Sequence, residues 1–333
     1  VCDRWPALSR WSHAYLRERL GAKRIHVSIT PNGLADAVTP VERAQGAREG
    51  EDLVFAQPLE VSMPCDRFLD VIESPLVEEG SDRRLRNVHY ASHQDSSLHT
   101  DFMELAEDFA PSIAWADAAF GNVPAATNIW IGENAARTTV HADLFDNLYL
   151  VVTGEKHFTL LPPDEGIRLE RRQYRAATYS REASSHVPKQ AMPGFRCGGS
   201  LDALAESIGR SKLTACITSD RASGAANDSG ASPATNADDW AETGSRDDLV
   251  LHLDDPPRMV WWSPIDIESE QADEELEPIH AVVRRGELLY IPKLWWHAVS
   301  QNAPEGSSTV ALNFWYEDSS EETRTCGGSG TQA

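Results

Sequence analysis

TTVHADLFDNLYLVVTGEKHFTLLPP, residues 138–163, is the stretch that decides the fold, because it contains several short runs of strand-forming residues. Its β-branched and aromatic side chains are divided by Gly154 and end at a pair of prolines, as short antiparallel strands do. Runs of the same kind lie before and after it, at 127–133, 280–292, 297–301 and 308–318. Short strands punctuated by glycine and proline predict a mainly β fold with flanking helices, of the jelly-roll or antiparallel barrel type, and not parallel βαβ units.

The first third of the chain is expected to mix helices with strands. Residues 1–20 have apolar side chains at spacings near three and four, which predicts one or two short amphipathic helices. Residues 25–29 alternate apolar and polar side chains before a Pro-Asn-Gly turn, which predicts a strand. Three later segments predict, in order, a helix, a strand and a helix: 64–76, 87–93 and 98–119. We therefore expect residues 1–120 to form a helix and strand region that packs on the β core.

A polar insertion is expected to divide the β core. The run SDRASGAANDSGASPATNADDWAETGSRDD, residues 219–248, is rich in small and polar residues and has no apolar periodicity. Such a composition buries too little apolar surface to offset the conformational entropy of folding, which predicts disorder. We therefore expect an insertion over 183–248 between two parts of the core, 121–182 and 249–318, and a flexible tail over 319–333.

The charge balance excludes one class of partner. The chain has 30 Lys and Arg against 52 Asp and Glu, a formal net charge of -22. Proteins that bind nucleic acid need clustered basic residues, so no nucleic-acid partner is expected, and a basic peptide is the better electrostatic match. The acidity is uneven, because residues 221–280 hold fifteen Asp and Glu against three Arg. A solvated loop is therefore favoured over a partner-binding surface as the explanation of much of the charge.

Cysteine use and hydropathy predict a soluble protein of the cytoplasm, with the nucleus as a second compartment. The five cysteines are odd in number, widely spaced and without a CxxC pair, so reduced thiols are expected. No apolar run approaches the roughly 20 residues that span a bilayer, and the first residues do not resemble a secretory signal. No membrane association is therefore expected.

His141 and Asp143 are candidate metal ligands. They are two residues apart, and on a strand such residues point to the same face. His297, which follows the strand GELLYIP and the segment KLWW, supplies a second imidazole. Two histidines and one carboxylate form the ligand set of non-haem iron(II) oxygenases, which leaves coordination positions open for co-substrate and oxygen. Zinc hydrolases use similar ligands, and a His-x-Asp also arises by chance, so the residues alone leave the metal open.

Lys156 is a candidate for binding an anion. It lies in a run that otherwise contains Phe158, Leu160 and Leu161. An unpaired ammonium is costly to bury, and a bound carboxylate would compensate that cost. A lysine exposed at the preceding turn is the alternative interpretation.

In combination these motifs resemble those of the JmjC oxygenases. The similarity is carried by HADLFDNLYLVVTGEKHFTLLPP, GELLYIPKLWWHAVS and ALNFWYED, and elsewhere by WPALSRWS, VSITPNGLADAV, NVHYASH, WADAAFGNVPAATNIWIGE and VWWSPID. Only residues 183–248 have no counterpart in this resemblance. Within the family, the chain is most similar to the small members that consist of a JmjC domain alone. The resemblance implies a double-stranded β-helix, the jelly-roll or cupin-like JmjC core.

The resemblance also implies a role for individual residues. His141, Asp143 and His297 would be the catalytic centre and hold Fe(II). The remaining positions would contact the co-substrate 2-oxoglutarate, which reacts together with O2: Lys156, Thr138 and Tyr90 at its distal carboxylate, Asn147 and Asn313 near the co-substrate and metal, and Trp315 as a cavity wall. For Tyr90, Asn147, Asn313 and Trp315, ordinary packing or hydrogen bonding inside a barrel is the alternative.

The reaction that the resemblance implies is hydroxylation, with 2-oxoglutarate converted to succinate and CO2. It implies (3S)-lysyl hydroxylation of a protein or peptide, with developmentally regulated GTP-binding proteins as targets. Asp146 and Glu133 are candidate acidic residues at the cavity mouth for such a lysine, although plain surface carboxylates are the favoured interpretation.

Three alternatives to this function stay open. They are a metal-dependent endopeptidase of the arginyl type, a histone lysine demethylase, and a non-catalytic JmjC protein that binds a partner. The peptidase is disfavoured because the chain has no HExxH motif for a zinc-bound water and a general base. A homodimer is also left open, and the N-terminal helices would be the surface for it.

Overall fold

A computed structural model describes residues 4–40, 44–45, 52–78, 80, 85–94, 96–181, 249–269 and 275–317. The insertion expected over 183–248 and the tail expected over 319–333 lie outside the described residues. Of the cysteines, Cys65 is described, and it is a buried free thiol. Among the described residues, no helix is both long enough and apolar enough to cross a membrane.

The helices of the described residues are short and lie mostly in the first third of the chain. They are α1 (Ala7–Arg10), α2 (His13–Leu20), α3 (Cys65–Glu73), α4 (Ser97–Thr100) and α5 (Ala114–Phe120), with 3-10 helices over Met103–Asp108 and Pro163–Leu169. The helices expected near residues 1–20 and over 64–76 are thus confirmed.

The strands make up most of the regular structure of the described residues. The first seven are β1 (Arg24–Thr30), β2 (Leu34–Ala35), β3 (Ala37–Pro40), β4 (Ala44–Gln45), β5 (Leu53–Gln57), β6 (Leu59–Pro64) and β7 (Val88–Ala91). They are followed by β8 (Ala126–Gly132), β9 (Arg137–Ala142), β10 (Asp146–Thr153), β11 (Glu155–Leu161) and β12 (Arg172–Arg181). The last six are β13 (Leu249–Leu253), β14 (Met259–Trp262), β15 (Ile279–Arg284), β16 (Leu288–Ile291), β17 (Trp296–Asn302) and β18 (Thr309–Tyr316).

Two sheets, antiparallel except for the parallel pair of β2 with β9, face each other and form the jelly roll. The larger has the order β16-β10-β18-β8-β7-β1-β6, and the smaller has the order β15-β11-β17-β9-β2. Tyr149 and Val151 of β10 share one buried cluster with Phe158 of β11 and Val299 of β17, so the two sheets pack face to face. The predicted mainly β fold with a jelly-roll core is therefore confirmed.

The larger sheet is covered on both faces. In β10, Leu148, Leu150 and Val152 alternate with the residues that face the smaller sheet, and they pack in a second cluster with the N-terminal helices. The N-terminal region also contributes β7, β1 and β6 to this sheet, in continuity with the core strands. The boundary near residue 120 stays a prediction, since the sheet runs across it.

A third sheet has the order β3-β5-β12-β13-β4, and β14 pairs with β12 beside it. In this sheet β12 and β13 are antiparallel neighbours, with Arg181 opposite Leu249. The two ends of the described chain on either side of residues 182–248 therefore meet at one point of the sheet.

The single helix expected over 98–119 is wrong in its continuity. The structure has α4, a 3-10 helix and α5 in its place, with Phe109 in an extended conformation between them. Pro111 explains the break, because proline has no backbone N–H to donate and disfavours a helical conformation at the residue before it.

Asp108 connects the broken segment to the first two helices. Its Oδ1 accepts a hydrogen bond from Arg10 Nη1 at 2.9 Å, and its Oδ2 accepts from Trp11 Nε1 at 2.9 Å and Tyr15 Oη at 2.6 Å. Burial alone would raise the pKa of Asp108, but these three donors outweigh it and hold the pKa below its usual value. The stabilisation is therefore present above about pH 4 and is lost as the pH falls through the lowered pKa.

We expect Asp108→Asn to lower the free energy of unfolding by about 2 kcal/mol near neutral pH, because it replaces a charged acceptor of three hydrogen bonds. Urea unfolding measured from pH 7 down to pH 3 would test this, with exposed Glu107→Gln as the matched control. The difference from wild type should shrink towards pH 3. An equal midpoint for wild type and Asp108→Asn at pH 7 would contradict the assignment.

Candidate metal centre and co-substrate pocket

The three predicted ligands converge at one end of the smaller sheet. His141 near the end of β9 is the register partner of His297 near the start of β17, and Asp143 follows β9 directly. The Nε2 atoms of His141 and His297 lie 3.9 and 3.7 Å from the two carboxylate oxygens of Asp143. All three ligand atoms lie within 4.8 Å of one another, so a single metal ion can reach them together.

Backbone carbonyls set the orientation of both imidazoles. His141 Nδ1 lies 2.8 Å from the carbonyl oxygen of Thr139, and His297 Nδ1 lies 3.0 Å from that of Trp295. A proton on each Nδ1 satisfies these carbonyls and leaves each Nε2 with a lone pair, as a metal ligand requires. Burial, together with the nearby His141, lowers the pKa of His297 to about 4, so this imidazole is neutral at physiological pH.

Trp262 supports His141 from the third sheet. The two rings are nearly parallel, with 7° between their planes and 6.2 Å between their centroids. Trp262 Nε1 also donates to Thr139 Oγ1 at 3.0 Å, on the strand that carries His141. The indole thus restricts the position of the ligand.

Lys156 is buried between the two sheets. Its side chain is 1% exposed, and its Nζ donates to Tyr90 Oη on the larger sheet at 3.1 Å. Among the described residues, no carboxylate forms an ion pair with it. Burial lowers its pKa to about 7, because a charged ammonium that has lost its water and has no counter-ion is unfavourable. The alternative of an exposed turn lysine is therefore wrong, and the site suits a bound carboxylate.

The distance between Lys156 and the metal ligands suits a short dicarboxylate. Lys156 and Leu160 share one face of β11, and Leu160 is the register partner of His297. Lys156 is four residues before Leu160 on this strand, so its backbone lies about 13 Å from the position of Leu160 and His297. The extended lysine side chain and a five-carbon dicarboxylate such as 2-oxoglutarate together span such a gap. The donor set and this unpaired ammonium therefore fit Fe(II) and 2-oxoglutarate.

A register shift brings Thr138 to the same interior face as His141. The two are three residues apart, which in a regular strand would place them on opposite faces. Their partners on β17 are Val299 and His297, which are two residues apart and therefore share the inner face. The register of the two strands shifts between these pairs, so three residues of β9 span the same length as two of β17. Thr138 therefore lies on the interior face, as its predicted contact with the co-substrate requires.

Asn147, Asn313 and Trp315 also lie together on the inner face of the larger sheet. Trp130 Nε1 donates to Asn313 Oδ1 at 3.0 Å, and Asn313 Nδ2 donates to Asn147 Oδ1 at 3.3 Å. The Trp315 ring stacks on Phe145 at 5.3 Å, and its Nε1 is buried without a hydrogen-bond partner among the described residues. The predicted residues are thus neighbours, while their contacts with a co-substrate stay predictions.

The structure corrects both acidic residues suggested for the cavity mouth. Glu133 is buried, and its oxygens accept from Arg86 Nη1 and Nη2 at 2.8 and 3.0 Å and from the His89 backbone N–H at 3.0 Å. Glu133 is therefore neither a surface carboxylate nor free to bind a substrate. Asp146 points to the face of β10 opposite Asn147, where it accepts from Tyr290 Oη at 2.6 Å and from the Lys293 backbone N–H at 3.3 Å. Both carboxylates therefore support local structure.

Sequence reasoning missed Tyr149. It faces the cavity from β10, as the register partner of Asn313, and packs edge-on against Phe158 at 5.1 Å. Its ring lies 6.0 Å from Lys156 Nζ. The alternation of β10 could have found it, because Tyr149 is two residues after Asn147.

Comparison with known proteins agrees with this geometry. A family model described as a cupin-like domain matches residues 1–322. Lysine-specific demethylase JMJ32 of Arabidopsis thaliana is 31% identical over 326 residues, which cover 94% of this chain and 72% of the relative. Bifunctional peptidase and (3S)-lysyl hydroxylase JMJD7 of Homo sapiens is 29% identical over 318 residues, which cover 94% of this chain and 74% of the relative.

A third relative extends the comparison to another lineage. JmjC domain-containing protein E of Dictyostelium discoideum is 26% identical over 331 residues, covering 95% of this chain and 76% of the relative. The resemblance to small JmjC proteins noted in the sequence is thus confirmed. The chain belongs to the cupin-like family of JmjC proteins, whose enzymes are oxygenases that use Fe(II) and 2-oxoglutarate.

Proposed function

We propose that this protein is an Fe(II)- and 2-oxoglutarate-dependent hydroxylase that acts on a lysine side chain of a protein substrate. The observation that carries the proposal is the buried, unpaired ammonium of Lys156 on the face that also presents His141 and His297. A protein without a carboxylate ligand would have no compensation for this buried charge. A non-catalytic binding protein would also have no need of the three converging metal ligands.

Each part of the site has a task in this reaction. His141, Asp143 and His297 would hold Fe(II), which when bound supplies the oxidation of a C–H bond by O2 coupled to conversion of 2-oxoglutarate to succinate. Lys156 and Tyr90 would bind the distal carboxylate through charge-assisted and neutral hydrogen bonds. This fixes the co-substrate in one orientation before the protein substrate arrives.

Two facts support a lysine in a protein as the substrate. The human relative is by its name a (3S)-lysyl hydroxylase as well as a peptidase. The formal net charge of -22 favours the approach of a basic segment over an acidic one. Developmentally regulated GTP-binding proteins are the substrates that we propose to test first.

The decisive experiment combines succinate detection with mass spectrometry of a lysine-containing peptide from such a GTPase. Purified protein would be incubated with Fe(II), 2-oxoglutarate and peptide, and compared with His141→Ala. Peptide-dependent succinate and a peptide mass increased by one oxygen atom are expected from wild type alone. No succinate and no binding of 2-oxoglutarate would overturn the assignment.

The alternatives give different products in the same experiment. The Arabidopsis relative is by its name a lysine-specific demethylase, so a methyl-lysine histone peptide belongs in the assay. Demethylation would remove methyl groups from that peptide, whereas a peptidase would cleave an arginine-containing peptide without forming succinate. Either product in place of hydroxylysine would replace the proposed substrate.

A further inference from the structure

Gly132 is a glycine at a position where the backbone does not require one. It is the last residue of β8 and is buried on the inner face of the larger sheet, opposite its register partner Tyr90 on β7. Its φ lies outside the left-handed region, so residues with a side chain could adopt the same backbone conformation. Glycine weakens a strand, because it loses more conformational entropy than alanine, and it often marks a close approach of another group. The reason for this glycine must therefore lie in what occupies the space beside it.

The Tyr90 ring and the Gln301 amide fill that space. A Cβ on Gly132 would lie 2.6 and 2.8 Å from Cδ2 and Cε2 of Tyr90, and closer still to Gln301 Nε2. Such distances are far below the 3.5–4.0 Å or so at which non-bonded carbon atoms pack. Both groups are held in place, because Gln301 Nε2 donates to the carbonyl oxygen of Glu133 at 2.7 Å and Tyr90 Oη accepts from Lys156 Nζ at 3.1 Å. A side chain in place of Gly132 would therefore force held groups to shift.

A shift of the Tyr90 ring would move its hydroxyl as well, because the ring is rigid and the added atom would meet one of its edges. We infer that Gly132 is a positioning residue for the co-substrate. Its missing side chain lets the Tyr90 ring lie against β8, and this sets the Tyr90 hydroxyl beside Lys156 at the distal carboxylate of 2-oxoglutarate. The inference rests on the proposed function, since it requires a dicarboxylate next to Lys156. It assigns Gly132 no contact with the metal or with the reacting atoms.

Calorimetric titration of 2-oxoglutarate and of oxalate into anaerobic protein loaded with Mn(II) tests this without turnover. Both ligands chelate a metal, but oxalate has no distal carboxylate to reach Lys156. We expect Gly132→Ala to weaken 2-oxoglutarate binding about tenfold, the effect of losing one hydrogen bond to a charged group, and to leave oxalate binding unchanged. The KM for 2-oxoglutarate should rise by the same factor while kcat is kept.

Gly166→Ala is the matched control for a methyl group placed against an aromatic ring. Its added Cβ would lie 2.8 Å from Cε2 of Trp296, which packs in a buried cluster that contains neither Tyr90 nor Lys156. Gly166→Ala should therefore keep the wild-type ratio of 2-oxoglutarate affinity to oxalate affinity. An equal fall of this ratio in both variants, or wild-type affinity for 2-oxoglutarate in Gly132→Ala, would overturn the inference.

A double-mutant cycle tests whether Gly132 acts through the Tyr90 hydroxyl. Tyr90→Phe removes that hydroxyl, so adding Gly132→Ala to it should cost less than about twofold in affinity, and additive losses would contradict the assignment. Should Gly132→Ala fail to fold, the comparison is made in the Gln301→Ala background, which removes the closest contact of the added methyl group. There Gly132→Ala should again cost about tenfold for 2-oxoglutarate and nothing for oxalate, and an equal loss for both ligands would rule the inference out. Failure of wild type to bind 2-oxoglutarate would instead refute the proposed function.

Discussion

Asp143→Ala is expected to reduce succinate formation roughly 1,000-fold, because a bound metal contributes several kcal/mol to such a reaction and Asp143 is its anionic ligand. The carboxylate lies 3.9 and 3.7 Å from the two imidazole Nε2 atoms and is the acidic member of the cluster. Without it, two neutral imidazoles are left to hold a divalent cation that prefers mixed nitrogen and oxygen ligands. Both metal content and turnover should therefore fall.

The measurement is succinate release together with the metal content of protein reconstituted with Fe(II) under argon. Asp164→Asn is the matched control, since this carboxylate is exposed and lies outside the cluster. The thermal midpoint of metal-free Asp143→Ala should stay close to that of wild type, because Asp143 lies just beyond the end of β9. Retention of wild-type turnover by a folded Asp143→Ala would show that the metal is held elsewhere.

The metal ligands were accessible from the sequence because their geometry is largely local. His141 lies near the end of β9 and Asp143 is the first residue after it, two positions on, so strand alternation was enough to suggest that both side chains reach one point. His297 is distant in sequence, so its assignment depended on the resemblance to a family. The structure supplies the physical link, which is the pairing of β9 with β17 that makes His141 and His297 register partners.

Features that depend on long-range pairing were not accessible. The register shift that turns Thr138 inward involves two strands that are far apart in the chain. The partner of Glu133 is Arg86, 47 residues away, and no local pattern identifies that pair. Periodicity predicts which residues form a strand but not what lies opposite them, so the burial of Glu133 and its pairing with Arg86 could not be predicted.

The N-terminal region shows the same limit at the level of the fold. Local patterns predicted its helices near residues 1–20 and over 64–76 and its strands at 25–29 and 87–93. The strands β2 to β6 were not predicted, and the continuity of the helix over 98–119 was wrong. That β7, β1 and β6 extend the larger core sheet could not be deduced, because sheet order is set by tertiary packing. Tyr90 lies on β7, so this region supplies part of the candidate pocket as well as a cover for the core.

Lys156→Met is expected to make the protein more stable and less able to bind its co-substrate. Replacing a buried ammonium by an apolar side chain of similar length should raise the free energy of unfolding by about 2 kcal/mol at pH 7. In the unfolded chain the pKa of lysine is near 10.4, whereas in the folded protein burial lowers the pKa of Lys156 to about 7. Below about pH 7 both states are charged, and the full cost of burial is present.

Between about pH 7 and pH 10.4 the unfolded state binds more protons at this site than the folded state, so the wild-type protein gains stability as the pH rises. Lys156→Met lacks this gain, and its stability advantage should therefore shrink over this range. Urea unfolding of both proteins at several pH values measures the difference. Lys23→Met, which removes a lysine paired with Glu104 near the surface, is the control and should show no such trend.

The same charge that destabilises the free protein should stabilise its complex with 2-oxoglutarate. A carboxylate beside Lys156 Nζ forms the charge-assisted bond that the free protein lacks, so Lys156→Met should lose about 30-fold in affinity for 2-oxoglutarate. Ligand should accordingly raise the unfolding midpoint of wild type much more than that of the variant. If Lys156→Met were no more stable than wild type and bound 2-oxoglutarate equally well, the buried ammonium would be neither a cost to the fold nor a contact with the co-substrate. Gain of stability with loss of affinity is the combination expected when a residue is kept for binding at the expense of folding.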